Sequence, residues 1–370
     1  MAFIVLVAVP TGATTSFYIP PDPLARAAPG TLIRSQRIAA LPGARAWRVL
    51  YHSRALDGRD IAVSGVVVAP TGAAPAGGRP VVSWAHATTG LDDRCAPSRS
   101  PSVASALPWI REFVDRGYVV AATDYEGLGT PGPHPYLVGE SEGRGVLDAA
   151  RAARELRATG ANDSVVVTGH SQGGQAALFA GEIASRYAPD LDVRGVAALA
   201  PATSPSAILD ASPTRPDMLG FAAMTAEGIR AAFPRADVDA ILTPEADAAV
   251  QRLDATACLF QTLAGFRDQH ITVLRADPDS VPSVREALRR STAGYVRTRV
   301  PVVVYQGGQD ALVQPAVTAA YVYRACALGD RVSAHVYPAA DHGAVLAAAT
   351  PDLLQWVDDR LAGNPVVGAC

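Results

Sequence analysis

The stretch that decides the fold is Val165–Val166–Val167–Thr168–Gly169–His170–Ser171–Gln172–Gly173–Gly174. β-Branched residues lead into a G-x-S-x-G motif, and helix-forming residues follow it, which predicts a strand, a tight turn and a helix. Small residues on both sides of the turn let the strand and helix approach, so the Ser171 hydroxyl projects as a nucleophile. The backbone N–H of Gln172 then faces a developing oxyanion. The alternative interpretation is a serine in a glycine-rich loop.

The composition is that of a large globular protein without a basic surface. The chain has 370 residues, of which 49% are hydrophobic and 18% are charged, and its net charge is −3. This length allows one large α/β domain with an insertion, or two domains. Nucleic-acid binding is excluded as a function because no basic block or stripe supplies its electrostatic footprint.

The N-terminus begins with an apolar run, Met1–Pro10, which is too short to span a bilayer. It is similar to the hydrophobic region and cleavage zone of a secretory signal peptide without its charged start. We therefore interpret residues 1–16 as a signal-peptide remnant and predict a secreted, extracellular protein. A short buried strand is the alternative.

Four cysteines are present, and none lies in a C-x-x-C pair, which argues against a zinc site or thioredoxin-type chemistry. An even number of cysteines beside a leader favours two disulfides in an exported protein. Three pairings are open at this point. The cysteines are Cys95, Cys258, Cys326 and Cys370.

Short apolar strands alternate with helical stretches along most of the chain. This alternation predicts an α/β fold with a mostly parallel central sheet flanked by helices. The turn at residues 56–60 predicts a hairpin between the first two strands. Predicted strands are 47–52, 61–69, 80–85, 118–123, 164–168, 193–199, 300–305 and 331–337. Predicted helices are 103–115, 143–158, 172–187, 314–328 and 351–361.

One segment, residues 204–298, breaks this alternation with short helical pieces punctuated by prolines. It is too long for a structureless loop. We predict a mostly helical cap over the active-site edge, and we call this segment the helical insertion. Residues 17–203 and 299–370 then form the core.

A serine nucleophile needs a base, and His342 is the candidate because it follows the strand 331–337 at its C-terminal end. A glycine after His342 is expected to let the loop bend sharply. His335 lies inside the strand and is interpreted as structural. His170 neighbours Ser171, but the turn should direct its side chain away.

The orienting acid should lie between the serine and the histidine in chain order. Asp310 follows the strand 300–305, 32 residues before His342, and is the candidate. Asp341 is the rival, but a residue adjacent to His342 cannot easily bond the same imidazole.

The second oxyanion donor should come from the loop after strand 80–85. Residues 83–90 are rich in small residues and hydroxyls, and a threonine can donate both its N–H and its O–H. We predict Thr89, with Thr88 as the alternative. An ordinary polar turn is the other interpretation.

Two further carboxylates, Asp124 and Glu126, lie near the turn after strand 118–123. Acid/base chemistry or a metal site is one interpretation. We favour a structural role in which they fix the loop through backbone N–H groups or arginines. Ser141 is predicted to cap the helix that follows.

Several motifs together resemble one known family. They are Val81–Trp84, Cys95–Ser98, Thr123–Gly127, Gly143–Asp148, Gly169–Gly174, the Asp310 loop and Asp341–His342. On these residues the chain resembles the secretory lipases of the α/β-hydrolase superfamily, the fungal lipase A-like group, and their actinobacterial branch. The resemblance implies an α/β-hydrolase fold and a triad of Ser171, Asp310 and His342.

The resemblance has further implications for the site and the disulfides. It implies an oxyanion hole from Gln172 and one further residue. That second residue is an aspartate in the fungal enzyme, and counting between the motifs places it at Thr89 in this chain. It also implies disulfides Cys95–Cys258 and Cys326–Cys370, and a helical insertion that covers the acyl pocket. The given sequence ends at Cys370, and on this resemblance we expect it to be without the extra C-terminal flap of the fungal members.

The leading function is a serine ester hydrolase, a lipase or esterase that acts on small-molecule or lipid esters through an acyl-enzyme. It needs no metal or organic cofactor, and it makes transient contact with lipid interfaces. An acyltransferase with the same acyl-enzyme is the alternative, and a peptidase or amidase is a weaker variant. A non-catalytic binding module is the third hypothesis, and loss of the serine, histidine or aspartate would indicate it.

Overall fold

The computed structural model describes residues 17–102, 107–254, 257–366 and 370. The predicted signal-peptide remnant, residues 1–16, lies outside them. Within the described chain, one nine-stranded sheet has helices on both faces. Its strands are β1 (Leu32–Ile38), β2 (Ala44–Arg54), β3 (Asp60–Pro70), β4 (Arg79–Ala85), β5 (Val119–Thr123), β6 (Ala161–His170), β7 (Asp192–Leu199), β8 (Val302–Gly307) and β9 (Val332–Tyr337).

The sheet is mostly parallel, as predicted. The strand order is β1-β2-β3-β5-β4-β6-β7-β8-β9. β1, β2 and β3 pair antiparallel, as do β3 and β5, and every pair from β5 to β9 is parallel. The predicted hairpin joins β2 and β3. The parallel strands therefore end at one edge of the sheet, where ligand-facing loops gather.

Ten α-helices accompany the sheet in the described chain. They are α1 (Ile110–Asp115), α2 (Gly139–Glu155), α3 (Gln172–Tyr187), α4 (Pro205–Ala211), α5 (Leu219–Ala232), α6 (Pro244–Asp254), α7 (Leu259–Asp268), α8 (Pro282–Arg290), α9 (Pro315–Ala327) and α10 (Ala344–Leu361). Helices α4 to α8 lie in the helical insertion, between β7 and β8.

The two faces of the sheet bury alternate residues of each strand, as the period of two requires. In β6, Val165 and Val167 pack under α2, α3 and α9, whereas Val166 packs on the opposite face under α1 and α10. These valines are fully buried. Helices on both faces explain why the central strands read as continuous apolar runs instead of alternating polar and apolar residues.

The helical insertion has a hydrophobic core of its own. Met218, Met224 and Phe266 are buried in it, together with Tyr136 and Leu137 from the loop before α2. Gly228 of α5 lies so close to this loop that a Cβ there would be 2.1 Å from the carbonyl oxygen of Tyr136. The insertion is therefore packed directly on the loops at the C-terminal edge of the sheet.

Both disulfides pair as the family resemblance implied. The bond between Cys95 and Cys258 joins the loop after β4 to the segment before α7, which attaches the insertion to the core. The bond between Cys326 and Cys370 ties the C-terminus to α9. Both close long loops, of 163 and 44 residues in sequence separation, so each restricts the unfolded chain strongly.

The structure also differs from the predicted elements. Strand β1 was not predicted, because it is an edge strand that is only partly buried and its residues LIRSQRI lack an apolar run. Helix α10 begins at Ala344 and contains Pro351, whereas the prediction began at that proline. Burial of Val345 and Ala349 against the sheet offsets the hydrogen bond that proline removes.

Two other helix boundaries differ. Helix α2 begins at Gly139, so Ser141 lies inside it and the predicted cap was wrong. Helix α1 begins at Ile110, and residues 103–106 of the predicted helix lie outside the described residues. No helix in the described ranges combines the length and apolar character that a bilayer span requires.

Candidate active site

Ser171 lies at the sharp turn between β6 and α3. Its backbone has φ 58° and ψ −117°, a strained conformation for a residue with a side chain. A Cβ on Gly173 would lie 1.9 Å from the carbonyl oxygen of Ala85, and one on Gly169 would lie 2.2 Å from that of Gly173. Glycine is therefore required at both positions, as the motif predicted.

His342 and Asp310 meet at the same edge of the sheet. His342 Nδ1 and Asp310 Oδ2 are hydrogen-bonded at 2.8 Å. The Asp310 side chain is fully buried, and its Oδ1 accepts hydrogen bonds from the backbone N–H groups of Leu312 and Val313 at 2.9 and 2.8 Å. Gln306 Nε2 donates a further bond to Oδ2 at 3.1 Å. This carboxylate is thus fixed in position and can hold the imidazole with its proton on Nδ1.

The rival carboxylate and the neighbouring glycine have other roles. Asp341 Oδ1 accepts from the backbone N–H groups of Gly343 and Ala344 at 3.0 and 2.8 Å, so it caps the start of α10. Gly343 has φ −86° and ψ −40°, which any residue adopts. The expectation that this glycine is needed for a sharp bend was therefore wrong.

His170 packs against the base candidate instead of simply turning away. Its Nε2 is 2.9 Å from the carbonyl oxygen of His342, and the two rings are 4.7 Å apart. Burial, reinforced by the neighbouring His342, lowers the pKa of His170 to about 4, so it is neutral at pH 7 and Nε2–H donates to that carbonyl. This bond ties the Ser171 turn to the His342 loop. A histidine next to a nucleophile gives no sequence signal of such a contact.

The two threonines after β4 differ in their surroundings. Thr88 Oγ1 is hydrogen-bonded to the Tyr136 hydroxyl at 2.9 Å. Thr89 Oγ1 is buried and has no hydrogen-bond partner within the described residues. The carbonyl oxygen of Thr89 accepts from the N–H of Leu259 at 2.8 Å, which connects this loop to α7 of the insertion. A buried hydroxyl without a partner is costly unless a ligand supplies one.

Gln172 begins α3, so its backbone N–H lies at the positive end of a helix. Its side-chain Nε2 donates to Glu142 Oε1 at 2.7 Å and lies 3.1 Å from His134 Nε2. Sequence reasoning missed both partners. Glu142 looked like an ordinary acidic residue near the start of a helix, and the position of His134 depends on a loop that only the fold brings to the site.

Asp124 and Glu126 hold loops. Asp124 accepts hydrogen bonds from Ser64 Oγ at 2.6 Å and from the backbone N–H of Ser98 at 2.9 Å. Glu126 accepts from Ser141 Oγ at 2.5 Å. Their partners are hydroxyls and backbone N–H groups, in line with the predicted loop-fixing role, although none of the hydrogen bonds found among the described residues joins an arginine to either carboxylate. In the described part of the chain, no group of three His, Cys, Asp or Glu residues has the arrangement of a metal site.

Comparison with known proteins decides the family. The family model described as secretory lipase matches residues 99–369. The chain belongs to the secretory lipase family. This agrees with the predicted secreted location, as do the two disulfides.

The similar proteins include some named as lipases and one named as a probable inactive lipase. The chain is 26% identical to a probable inactive lipase of Mycobacterium tuberculosis over 95% of this chain and 82% of that protein. It is 25% identical to lipase A of Moesziomyces aphidis over 90% of this chain and 77% of that protein. The family to which the chain belongs is one of lipid ester hydrolases.

A solved structure shows that the fold is that of an α/β-hydrolase. The closed state of Candida antarctica lipase A superimposes with a TM-score of 0.79, at 21% identity, over 95% of this chain and 86% of that one. The predicted fold class is confirmed. At this level of identity the similarity concerns the fold alone.

Replacement of Gly173 tests the close approach at the Ser171 turn. We expect Gly173→Ala to lose nearly all ester hydrolysis and to lower the melting temperature, because the new Cβ overlaps the carbonyl oxygen of Ala85. Gly343→Ala is the matched control, since the nearest heavy atom to its Cβ is 3.8 Å away. Hydrolysis rates and thermal melts of both variants check this. Full activity in Gly173→Ala would contradict it.

Proposed function

We propose that this protein is a secreted serine ester hydrolase, a lipase or esterase with Ser171, His342 and Asp310 as its triad. One observation carries the proposal: the 2.8 Å hydrogen bond between His342 Nδ1 and buried Asp310, at the sheet edge where the strained turn presents Ser171. The bond leaves Nε2 of a neutral imidazole as the proton acceptor.

The proposed reaction has two halves. Ser171 Oγ attacks the ester carbonyl while His342 Nε2 takes its proton, and the tetrahedral intermediate collapses as His342 protonates the leaving alcohol. Water then attacks the acyl-enzyme, giving its proton to His342. The second collapse returns that proton to Ser171 and releases the acid. Asp310 keeps the imidazole oriented and stabilises its positive charge.

The proposed oxyanion hole combines the backbone N–H of Gln172 with Thr89. Support comes from the helix N-terminus at Gln172 and from the buried Thr89 hydroxyl, which has no partner within the described residues. Thr88 is less suited as a donor because Tyr136 already engages its hydroxyl. A preorganised hydroxyl at this position needs no rearrangement when the oxyanion forms.

The proposed substrates are acyl esters of lipids, and residues 204–298 are proposed as the cap over the acyl pocket. Relatives named secreted triacylglycerol lipase in Malassezia globosa support this substrate class. Transient contact with a lipid surface belongs to the proposal as well. Phe260 of α7, in the insertion, is 81% exposed and supports it, because an exposed aromatic side chain gains by contact with lipid.

A series of p-nitrophenyl esters from acetate to palmitate tests the function. We expect the wild type to hydrolyse members of the series and Ser171→Ala to lose at least about 10⁴-fold in kcat, because the nucleophile is gone. The chain-length optimum distinguishes an esterase from a lipase. Thermal melts of the variant serve as the folding control. If the wild type hydrolyses no ester, the proposal fails and a binding role becomes the better reading.

Paired substitutions of the two candidate acids test the triad. We expect Asp310→Asn to lower kcat by about 10³- to 10⁴-fold, because the imidazole loses its orienting carboxylate. Asp341→Asn should retain activity, since asparagine also caps a helix. Steady-state kinetics on the best ester of the series provide the measurement. Equal losses in the two variants would contradict the assignment of Asp310.

Paired threonine substitutions test the oxyanion hole. We expect Thr89→Val to reduce kcat by about 100-fold with little change in KM, because a donor to the transition state is removed while the shape is kept. Thr88→Val should have a smaller effect on kcat and should reduce stability through its lost bond to Tyr136. The reverse order of effects on kcat would assign the role to Thr88.

A further inference from the structure

A buried glutamate is hydrogen-bonded to the side chain of Gln172, whose backbone N–H is a donor of the proposed oxyanion hole. Glu142, in the first turn of α2, is fully buried. Its Oε1 accepts hydrogen bonds from Gln172 Nε2 at 2.7 Å and from the backbone N–H of Leu137 at 2.9 Å. Its Oε2 is also buried and has no partner within the described residues. The proposed mechanism does not use this carboxyl.

The second partner of Gln172 fixes the pattern of protons around it. His134 Nδ1 lies 2.8 Å from the carbonyl oxygen of Glu126, to which it can only donate. Burial lowers the pKa of His134 to about 4, so its Nε2 carries no proton at pH 7 and accepts from Gln172 Nε2. Both amide hydrogens of Gln172 are therefore engaged, and its side chain is held in one orientation.

The charge of Glu142 follows from its surroundings. Burial raises the pKa of Glu142 to about 8, and the bonds from Gln172 and Leu137 only partly oppose this. The titratable groups that face it are neutral: His134, and the phenols Tyr125 and Tyr136, whose own pKa values burial raises. No cation contributes among the described residues.

We propose that Glu142 is a positioning residue for the oxyanion hole. In its uncharged form, Glu142 holds the Gln172 side chain and keeps negative charge away from the forming oxyanion. The inference rests on the proposed function. An uncharged carboxyl still accepts from Gln172, so α3 begins in a fixed position. An ionised one would place a like charge behind the donors that stabilise the transition state.

The pH dependence of kcat provides the test, with p-nitrophenyl butyrate as substrate. We expect wild-type kcat to fall as the pH rises through about 8, because Glu142 ionises there. Glu142→Gln keeps a neutral acceptor, so its kcat at pH 7 should stay within about threefold of wild type and the alkaline fall should disappear. Glu142→Leu has no acceptor, and kcat should fall by about 10- to 100-fold with KM nearly unchanged.

Glu182 offers a matched control. It lies in α3, burial likewise raises its pKa to about 8, and it accepts from the backbone N–H of Gly294 at 2.6 Å. It has no bond to Gln172. Glu182→Gln should therefore keep the alkaline fall of the wild type.

Thermal melts separate a structural effect from the positioning role. A glutamate in the unfolded chain ionises above about pH 4.5, while the folded one keeps its proton to about 8. Each glutamate therefore lowers the stability of the folded protein as the pH rises through this window. The melting temperature of both glutamine variants, measured relative to that of the wild type, should therefore be higher at about pH 8 than at about pH 5. Only Glu142→Gln should change the pH profile of kcat.

Infrared difference spectra between the wild type and Glu142→Gln show directly whether the Glu142 carboxyl carries a proton. We expect the C=O band of a protonated carboxyl at pH 7, lost as the pH passes about 8. Absence of this band, an unchanged alkaline fall in Glu142→Gln, or wild-type kcat in Glu142→Leu would overturn the proposal and leave ester hydrolysis intact. A wild type without esterase activity, or an active Ser171→Ala, would overturn the proposed function and this inference with it.

Discussion

The close contact between the first turn of α3 and the end of β4 is the constraint on which the rest of the site depends. The carbonyl oxygen of Ala85 occupies the space that a side chain on Gly173 would fill. Because the helix starts so close to the neighbouring strand, the residue between β6 and α3 must adopt a strained backbone, and Ser171 does so. The same contact brings the loop that carries Thr88 and Thr89 to the N-terminus of the helix.

Buried polar groups then hold this edge of the sheet together. His170 connects the Ser171 turn to the His342 loop through one hydrogen bond, and Gln172 is held by Glu142 and His134. Burial disfavours ionisation of these histidines and of Glu142, so the groups behind the donors act as dipoles and not as charges. A preorganised site of this kind stabilises a new negative charge without competing with it.

The helical insertion is attached to the same edge by several independent contacts. A disulfide joins Cys95 to Cys258, the N–H of Leu259 bonds to the carbonyl oxygen of Thr89, and α5 packs on the backbone of Tyr136. The insertion therefore touches the loop that carries the proposed oxyanion donor.

The sequence by itself determined the central strands, the Ser171 turn and the positions of Asp310 and His342 at strand ends, because each is written in a local pattern of apolar runs, glycines and strand–helix order. The tertiary structure alone decided the contacts of His170, His134 and Glu142 and the course of β1 and α10. Their roles depend on burial and on partners far away in the chain. A pKa near 8 for a glutamate is a property of its desolvated surroundings, and no local pattern of residues records those surroundings.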